Sequence, residues 1–392
     1  MLISRYNLKM TKRIYADTAA STPLDPKVAS LISRVQRKFF ANPSSLHYEG
    51  VIAKNLINEA REKMASRLRV LANNILFTAS GTEANNLAIF GIANLASRPA
   101  HIIVSPIEHK SILLPANRLT DEGFLISVLP TDKNGSVSPQ DLKEALRPET
   151  ILVSIGYANN ETGVIQPIAD LAKVIRRFKK KNNLTNYPYF HIDACQAPRS
   201  LSLDVPTLGV DLMTLDGAKI YGPKGIGALV SKVPLKPLIL GGNQEFGLRA
   251  GTENTAAIVG LNEALSLAIS RQAKDNLKLR SLTEYLWLGI QKNIPTAILN
   301  SPDNRLPYIL NIFFPGVDAE LLVLRLDAVG ISASAGSACL DNNGSQVIKE
   351  IFKDDNRARS SLRLSFGRDT IKADINRIIK LLPNLVELSY KL

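Results

Sequence analysis

The feature that most constrains the fold is an alternation of short β-branched runs with helical patterns through the first two thirds of the chain. The predicted strands are ILFTA (75–79), HIIVS (101–105), FLISVL (124–129), ILVSIGYA (151–158), YFHID (189–193) and GALV (227–230). Helical patterns fit between them, notably at 83–95 and 168–180. Strands that alternate with crossover helices form a parallel sheet covered by helices. We therefore predict an α/β fold with a mostly parallel sheet.

The pattern changes near residue 255, where a long helical stretch begins. After it come ILNIFFP (309–315), a helix at 318–326, RLSFG (363–367) and a terminal helix. A chain of 392 residues exceeds what one hydrophobic core usually holds. We predict a large domain at 16–258 and a smaller α+β domain at 259–392, which residues 1–15 join.

Composition excludes several classes of protein. No apolar run reaches the roughly 18 to 20 residues of a membrane span, and the N-terminus lacks the pattern of a signal peptide. Two cysteines in 392 residues argue against a disulfide framework and fit a reducing compartment, so we expect a cytoplasmic protein. The net charge of +13 is scattered apart from clusters such as RRFKKK (176–181), which resembles a solvated helix end. Nucleic-acid binding is therefore not expected to be the main function.

Cys339 lies in an unusual segment, SASAGSACLDNNGS (332–345), which offers a hydrophobic core almost nothing. A free cysteine usually behaves as a small buried hydrophobic residue. An accessible thiol, in contrast, is the kind that reacts. The local sequence leaves both interpretations open.

The segment ASGTEANNLAIF (79–90) follows a predicted strand and opens a helix. Its small residues Ser80 and Gly81 let the backbone approach a ligand, and a helix N-terminus offers unpaired N–H groups to a phosphate. Thr82 would add a hydroxyl. The alternative is an ordinary helix cap with Glu83 in the first turn.

Two further residues suggest a pyridoxal phosphate site. HIDACQ (191–196) places Asp193 at the carboxyl end of a predicted strand, where open α/β sheets bind ligands. Its carboxylate would suit a protonated pyridine nitrogen or, alternatively, would cap the next loop. Lys219 lies in the turn-rich LDGAKIYGPKGIG (215–227) and could form a Schiff base, unless it is a solvated surface lysine as Lys224 is expected to be. An aspartate and a lysine downstream of a phosphate cradle match such sites.

A series of blocks in fixed order makes the resemblance specific. They are NPSSLH (42–47), FTASGTEANNLAI (77–89), EHKS (108–111), NNETGVIQPI (159–168), HIDACQ, AKIYGPKGIG (218–227), RAGTEN (249–254), GSAC (336–339) and RLSFG. Over nearly the whole chain they resemble the cysteine desulfurases of the NifS/IscS type, a branch of the class V aminotransferase family. The resemblance implies the fold type I of pyridoxal-phosphate-dependent transferases.

The resemblance also assigns residues to the cofactor ring. His109 would stack on the pyridine ring, and Asp193 would pair with its protonated nitrogen. Asn160 and Gln196 would lie near the ring, and Lys219 would bind the cofactor covalently. Taken without the surrounding motifs, His109 would better suit a helix cap.

Phosphate and substrate are assigned in the same way. Gly81 and Thr82 would bind the phosphate, and Thr252 would reach the phosphate of the other subunit of a homodimer. Arg363, with help from Asn42, would bind the substrate carboxylate, because a guanidinium matches that fork geometry. Alone, Arg363 would suit a surface ion pair. No metal ligand is implied.

The implied reaction converts L-cysteine to L-alanine. Lys219 would shuttle the α-proton, and the Cys339 thiolate would take the sulfur as a persulfide. The acceptor would be a protein such as an iron–sulfur scaffold or a tRNA-thiolation enzyme. Two alternatives stay open: a lyase acting on selenocysteine or another β-substituted amino acid, and a cofactor-poor regulatory homologue.

The chain departs from this family at the phosphate site. Relatives usually carry Ser and His where this chain has Asp216 and Ala218. Alanine removes a donor, an inward aspartate would repel phosphate, and each lost charge-assisted hydrogen bond costs about 1.5 to 3 kcal/mol. We expect weaker or differently arranged cofactor binding, unless Asp216 turns outward or a lysine compensates. Cys195, inside HIDACQ, is expected to be a buried bystander.

Overall fold

A computed structural model describes residues 13–97, 99–336 and 344–390 of the chain, and these form two compact units. The small unit holds the described residues up to Ser21, Asn160–Val164 and those from Ala273 onward. The sheet unit holds Thr22–Asn159 and Ile165–Gln272. The predicted division at 258/259 stays a prediction, and nothing in the sequence suggested that Asn160–Val164 would join the small unit. Cys339 lies outside the described residues.

The α-helices of the described residues follow the predicted alternation. In chain order, α1 to α12 are Pro26–Lys38, Tyr48–Leu68, Gly81–Ala93, Lys110–Asp121, Pro139–Ala145, Ile168–Lys181, Val205–Leu208, Thr255–Asn293, Ala319–Ala328, Gln346–Phe352, Asp355–Arg359 and Lys372–Glu387. The helical patterns at 83–95 and 168–180 correspond to α3 and α6. None of these helices is long and apolar enough to cross a membrane.

The strands are short, and most are buried. In chain order, β1 to β12 are Ile14–Tyr15, Ile75–Thr78, His101–Val104, Leu125–Val128, Thr150–Gly156, Tyr189–Asp193, Leu212–Asp216, Gly227–Ser231, Ile298–Leu299, Ile309–Phe313, Ile331–Ser332 and Ser361–Ser365. The strand β7, LMTLD, is absent from the strands predicted above.

The sheet unit is built on one seven-stranded sheet, in the order β2-β8-β7-β6-β5-β3-β4. The strand β8 runs antiparallel to both of its neighbours, and the other pairs are parallel. Strands β2, β3 and β8 are buried along their whole length, as expected when helices cover both faces of a sheet. The predicted α/β fold with a mostly parallel sheet is confirmed.

The register of the sheet brings the ends of β2 and β7 to one edge. Gly227, the first residue of β8, pairs with Thr78 on one side and with Asp216 on the other. A Cβ at Gly227 would lie 2.5 Å from the carbonyl carbon of Ser80 and 2.9 Å from the nitrogen of Gly81. Only glycine therefore lets the start of α3 lie this close to the sheet.

The small unit contains a three-stranded antiparallel sheet, in the order β12-β10-β9, and a parallel pair of β1 with β11. Isolated bridges link Asp17 to Ser365 and Ser334 to Arg363. The β12 strand is buried along its length. Its middle residue, Arg363, is therefore a charged side chain inside this unit.

Candidate active site

Asp193 ends β6 at the carboxyl edge of the sheet, and two donors fix its carboxylate. Oδ1 accepts a hydrogen bond from the backbone N–H of Cys195 at 2.9 Å, and Oδ2 accepts one from Nδ2 of Asn85 at 2.7 Å. The first bond is the loop cap that the alternative interpretation of Asp193 predicted. The second holds the carboxylate in one orientation at the end of the strand.

Asn85 connects Asp193 to His109. Its side chain is buried, and Nδ2 also donates to Oγ of Ser111 at 2.9 Å. The backbone N–H of Ser111 donates to Nδ1 of His109 at 3.1 Å, and the Ser111 hydroxyl lies 2.7 Å from the same nitrogen. Because Nδ1 is an acceptor here, the proton of the neutral imidazole lies on Nε2. His109 also caps α4, so its capping role and its place in this network coexist.

Sequence reasoning missed the roles of Asn85 and Ser111, although both lie in the motifs quoted above. The available signal was a polar residue on the buried face of the apolar helix α3. Oδ1 of Asn85 is buried with no hydrogen-bond partner among the described residues. Buried polar atoms are normally paired, so this oxygen is an acceptor that a ligand could satisfy.

Glu108 anchors the loop that carries His109. Its carboxyl group is buried, and Oε1 accepts hydrogen bonds from the Ser105 hydroxyl and, at 2.8 Å, from the Gly156 N–H. Burial raises the pKa of Glu108 to about 7, and the negative charge of Asp193 adds to that rise, while both hydrogen bonds oppose it. The loop after β3 is thereby tied to the end of β5.

Lys219 ends a short 3-10 turn, Gly217–Lys219, that follows β7. Thr22 braces this turn, because its N–H donates to the Ala218 carbonyl at 2.8 Å and its Oγ1 accepts from the Tyr221 N–H at 2.7 Å. Lys224 is exposed, as predicted, and its ammonium group donates to the Thr22 carbonyl. The position of the lysine backbone is thus fixed on both sides.

Cys195 lies near Asp193, Asp216 and Lys219, whose charges all act on its thiol. Burial raises the pKa of its thiol well above the usual value, the charges of Asp193 and Asp216 raise it further, and the charge of Lys219 lowers it. These four groups therefore share one region of the sheet unit. The residue as a whole is partly buried, and the burial of its thiol agrees with the expectation of a buried cysteine.

The N-terminus of α3 is where the structure differs most from a simple phosphate cradle. Oδ2 of Asp216 accepts a hydrogen bond from the Gly81 N–H at 2.8 Å, and Oδ1 accepts one from the Ala218 N–H at 2.7 Å. Asp216 therefore points inward, which excludes the alternative that it turns outward. A Cβ at Gly81 would lie 2.7 Å from Sγ of Cys195, so glycine is required here.

The other predicted residues of the sheet unit have simpler surroundings. Gln196 is buried, whereas Thr82, Thr252 and Asn42 are exposed. Oδ1 of Asn42 accepts a hydrogen bond from the N–H of Ser44 at 2.9 Å. The hydroxyl groups of the exposed residues Thr82 and Thr252 are accessible to a ligand.

In the small unit, Arg363 is brought together with Asn160 and with a partner that was not predicted. Its side chain is 1% exposed, Nη2 lies 2.7 Å from Oδ1 of Asp17, and Nη1 donates to the Asn160 carbonyl at 2.9 Å. Nε is buried with no partner among the described residues. The alternative interpretation of Arg363, a surface ion pair, is therefore met by an ion pair that is buried.

Comparison with known proteins identifies the family. The family model for class-V aminotransferases matches residues 14–378. This chain belongs to the class-V aminotransferase family. The cysteine desulfurase IscS of Dictyoglomus turgidum is 41% identical to this chain over 384 residues, which are 96% of this chain and 95% of the relative.

Solved structures agree with that assignment. A NifS-like protein superposes on this chain with a TM-score of 0.89 and 31% identity, covering 96% of this chain and 100% of that chain. The structure of SspA in complex with cysteine gives a TM-score of 0.77 and 34% identity, covering 92% of this chain and 100% of that chain. The motifs that resemble cysteine desulfurases thus lie on the same fold.

Class-V aminotransferases and cysteine desulfurases are families that depend on pyridoxal phosphate. The ring side of the site fits that cofactor, because Asp193 is a fixed acceptor and Asn85 leaves a buried acceptor unpaired. The phosphate side fits less well. There the carboxylate of Asp216 already takes the N–H of Gly81.

Proposed function

We propose that this chain is a cysteine desulfurase that uses pyridoxal 5′-phosphate to convert L-cysteine to L-alanine. The observation that carries the proposal is the fixed carboxylate of Asp193, which is linked through Asn85 and Ser111 to His109. The charges of Asp193 and Lys219 both act on the thiol of Cys195. The cysteine desulfurase relatives support the activity, and the cysteine bound in the SspA structure supports the substrate.

The cofactor would be held by residues at three places of the sheet unit. Asp193 would pair with the ring nitrogen, His109 would stack on the ring, and Lys219 would bind covalently. Gly81 and Thr82 would bind the phosphate. When bound, pyridoxal phosphate supplies an electron sink for the carbanion that forms beside the amino group. Gln196 and Asn160 would lie near the ring, and Thr252 would reach the cofactor of a second subunit.

The chain's own residues would perform the remaining steps. Arg363 and Asn42 would bind the substrate carboxylate, and Lys219 would move the α-proton. The Cys339 thiolate would attack the sulfur of cysteine, so that its C–S bond breaks and an S–S bond forms. In the overall reaction, cysteine and a thiol give alanine and a persulfide.

The outer sulfur of this persulfide would then pass to an acceptor protein, such as an iron–sulfur scaffold or a tRNA-thiolation enzyme. We propose a homodimer as the working form and the cytoplasm as its location. The few cysteines of the chain fit a reducing compartment, in which a free thiol persists.

The test is to supply the purified protein with pyridoxal phosphate and L-cysteine, and to measure alanine, sulfide and the mass of the protein. We expect alanine to form and one sulfur to add to the chain. Cys339→Ala should abolish the added mass, and Lys219→Ala should abolish alanine formation. The matched control is Cys195→Ala, in which the sulfur should still be found on Cys339.

Other outcomes would select the alternatives. Alanine and sulfide production that survives Cys339→Ala would replace the desulfurase with a lyase. A wild-type protein that neither binds the cofactor nor turns over cysteine would favour a regulatory homologue.

A further inference from the structure

The N-terminus of α3 already holds an anion that belongs to the chain itself. Both oxygens of Asp216 accept backbone hydrogen bonds, one from Gly81 at 2.8 Å and one from Ala218 at 2.7 Å. Negative groups are stabilised at helix N-termini by the unpaired N–H groups and the helix dipole. The carboxylate of Asp216 thus makes the interaction that a bound phosphate would make.

The sheet, rather than a loop, sets this position. Asp216 is the last residue of β7, and it pairs with Gly227, which in turn pairs with Thr78 at the end of β2. The helix start passes over Gly227 so closely that any Cβ there would clash. The distance between Asp216 and Gly81 is therefore built into the register of three strands.

Among the residues that the structure describes, two backbone donors and one cation beside the helix start are also engaged. The N–H of Glu83 is taken by Oγ of Ser80 at 3.2 Å, and the N–H of Ala79 is taken by Oε2 of Glu83 at 2.9 Å. Arg249 is paired with Glu83 at 2.9 Å. A phosphate that arrived here would meet Asp216 and lose the Gly81 donor.

We infer that Asp216 occupies the phosphate subsite of the cofactor, so that a phosphorylated cofactor binds only by displacing this carboxylate from Gly81. The inference rests on the proposed function for the identity of the cofactor. It makes Asp216 a specificity-determining residue, which weakens binding of pyridoxal phosphate and leaves binding of unphosphorylated pyridoxal unaffected. The wild-type chain would then discriminate little between the two.

The test compares three proteins without bound cofactor, namely wild type, Asp216→Ser and Asp216→Asn. Absorbance titrations give the affinities for pyridoxal phosphate and for pyridoxal, and thermal melts with and without inorganic phosphate report anion binding directly. Asp216→Ser should bind pyridoxal phosphate at least about tenfold more tightly than wild type does, because one charge-assisted hydrogen bond changes an affinity by that factor. Its affinity for pyridoxal should change by less than about twofold, because the substitution removes no contact to this ligand.

The asparagine variant separates charge from occupancy. Its amide oxygen can still accept from Gly81, so its affinity for pyridoxal phosphate should lie between those of the other two proteins. The matched control is Asp318→Ser, which removes another aspartate that caps a helix, in this case by accepting from the Leu321 N–H at 3.0 Å. It should leave both affinities at their wild-type values.

The outcomes distinguish the inference from the proposed function. Equal affinities for pyridoxal phosphate in wild type and Asp216→Ser, together with equal melts in phosphate, would overturn the inference, while cofactor trapped on Lys219 by borohydride would keep the proposed function. If phosphate stabilises only Asp216→Ser but neither protein traps a cofactor, Asp216 blocks an anion site, while the proposed function and the assignment of that site to the cofactor both fail.

Discussion

At the residue scale, Asn85 sets the orientation of the two groups proposed to hold the ring. Its two N–H bonds end on Asp193 and Ser111, and it is 1% exposed. We predict that Asn85→Ala lowers the free energy of unfolding by about 1 to 3 kcal/mol, because it leaves buried polar partners unpaired. Urea denaturation followed by circular dichroism measures this change.

The neighbouring residue gives a matched control. Asn86 donates to the Thr82 carbonyl and is only partly buried, so Asn86→Ala should change the stability by less than about 0.5 kcal/mol. Equal effects of the two substitutions would contradict the role given to Asn85.

Glu108 gives the stability of the protein a pH dependence of unusual sign. Burial raises the pKa of this carboxyl from 4.5 to about 7, so its contribution is complete below pH 4.5 and is lost as the pH rises through 7. We predict that Glu108→Gln, which keeps an acceptor oxygen, gains up to about 3 kcal/mol relative to wild type between pH 4.5 and pH 8. Urea denaturation at a series of pH values is the measurement.

A surface glutamate is the control for this titration. Glu59 is exposed and pairs with Lys63 on the surface of α2, so Glu59→Gln should change stability by less than about 1 kcal/mol at either pH. A pH profile of Glu108→Gln parallel to that of wild type would show that Glu108 does not titrate as a buried group.

At the scale of elements, the sequence predicted those parts of the fold whose signal is local. The strands from β2 to β6 and the helices α3 and α6 show their periodicity within a few residues. The strand β7 does not, because LMTLD is a short run bordered by aspartates, and short buried runs cannot be assigned from periodicity. It becomes a strand because β6 and β8 pair with it on both sides.

The site shows the same limit. The placement of Asp193 at the end of a strand and of Lys219 in a turn was predictable, because both have recognisable local sequence patterns. The inward orientation of Asp216 depends on the register of β7 with β8, and the pairing of Arg363 with Asp17 joins residues far apart in the sequence. Contacts between distant segments decide both, and a single sequence carries no signal for them.

The strand β6 contributes an acid-sensitive element through His191. Its Nδ1 lies 2.8 Å from the hydroxyl of Ser154 on β5, and its Nε2 lies 3.0 Å from that of Thr214 on β7. Burial lowers the pKa of His191 from 6.5 to about 4, against the opposing charge of Asp193. Its contribution to stability is therefore present above pH 6.5 and is lost as the pH falls through 4.

Between pH 6.5 and pH 4, His191 should lower the free energy of unfolding of wild type by up to about 3 kcal/mol. We predict that this loss is absent in His191→Gln. Thermal melts across this pH range, compared with wild type, measure the difference. The same substitution of His101, whose pKa burial also lowers to about 4, should flatten the profile in the same direction. An unchanged slope in both variants would rule out buried neutral histidines as the cause.

At the scale of the whole molecule, exposed apolar side chains mark a candidate interface for the proposed homodimer. Leu46, Phe40 and Tyr48 are 96%, 77% and 75% exposed and lie close together in the sequence. Large apolar side chains that are exposed to this degree are common at interfaces between proteins, so this segment is a candidate interface. The family resemblance, which implies a homodimer, points the same way.

We predict that the protein sediments as a dimer of the 42.8 kDa chain at micromolar concentration. Leu46→Asp should raise the dimer dissociation constant by about tenfold or more, because a charge would be buried in an apolar interface. Leu277→Asp is the control: Leu277 is 77% exposed on α8, and its substitution should leave the dimer intact. A wild-type monomer at every concentration would refute the dimer, and a dimer unaffected by Leu46→Asp would place its interface elsewhere on the chain.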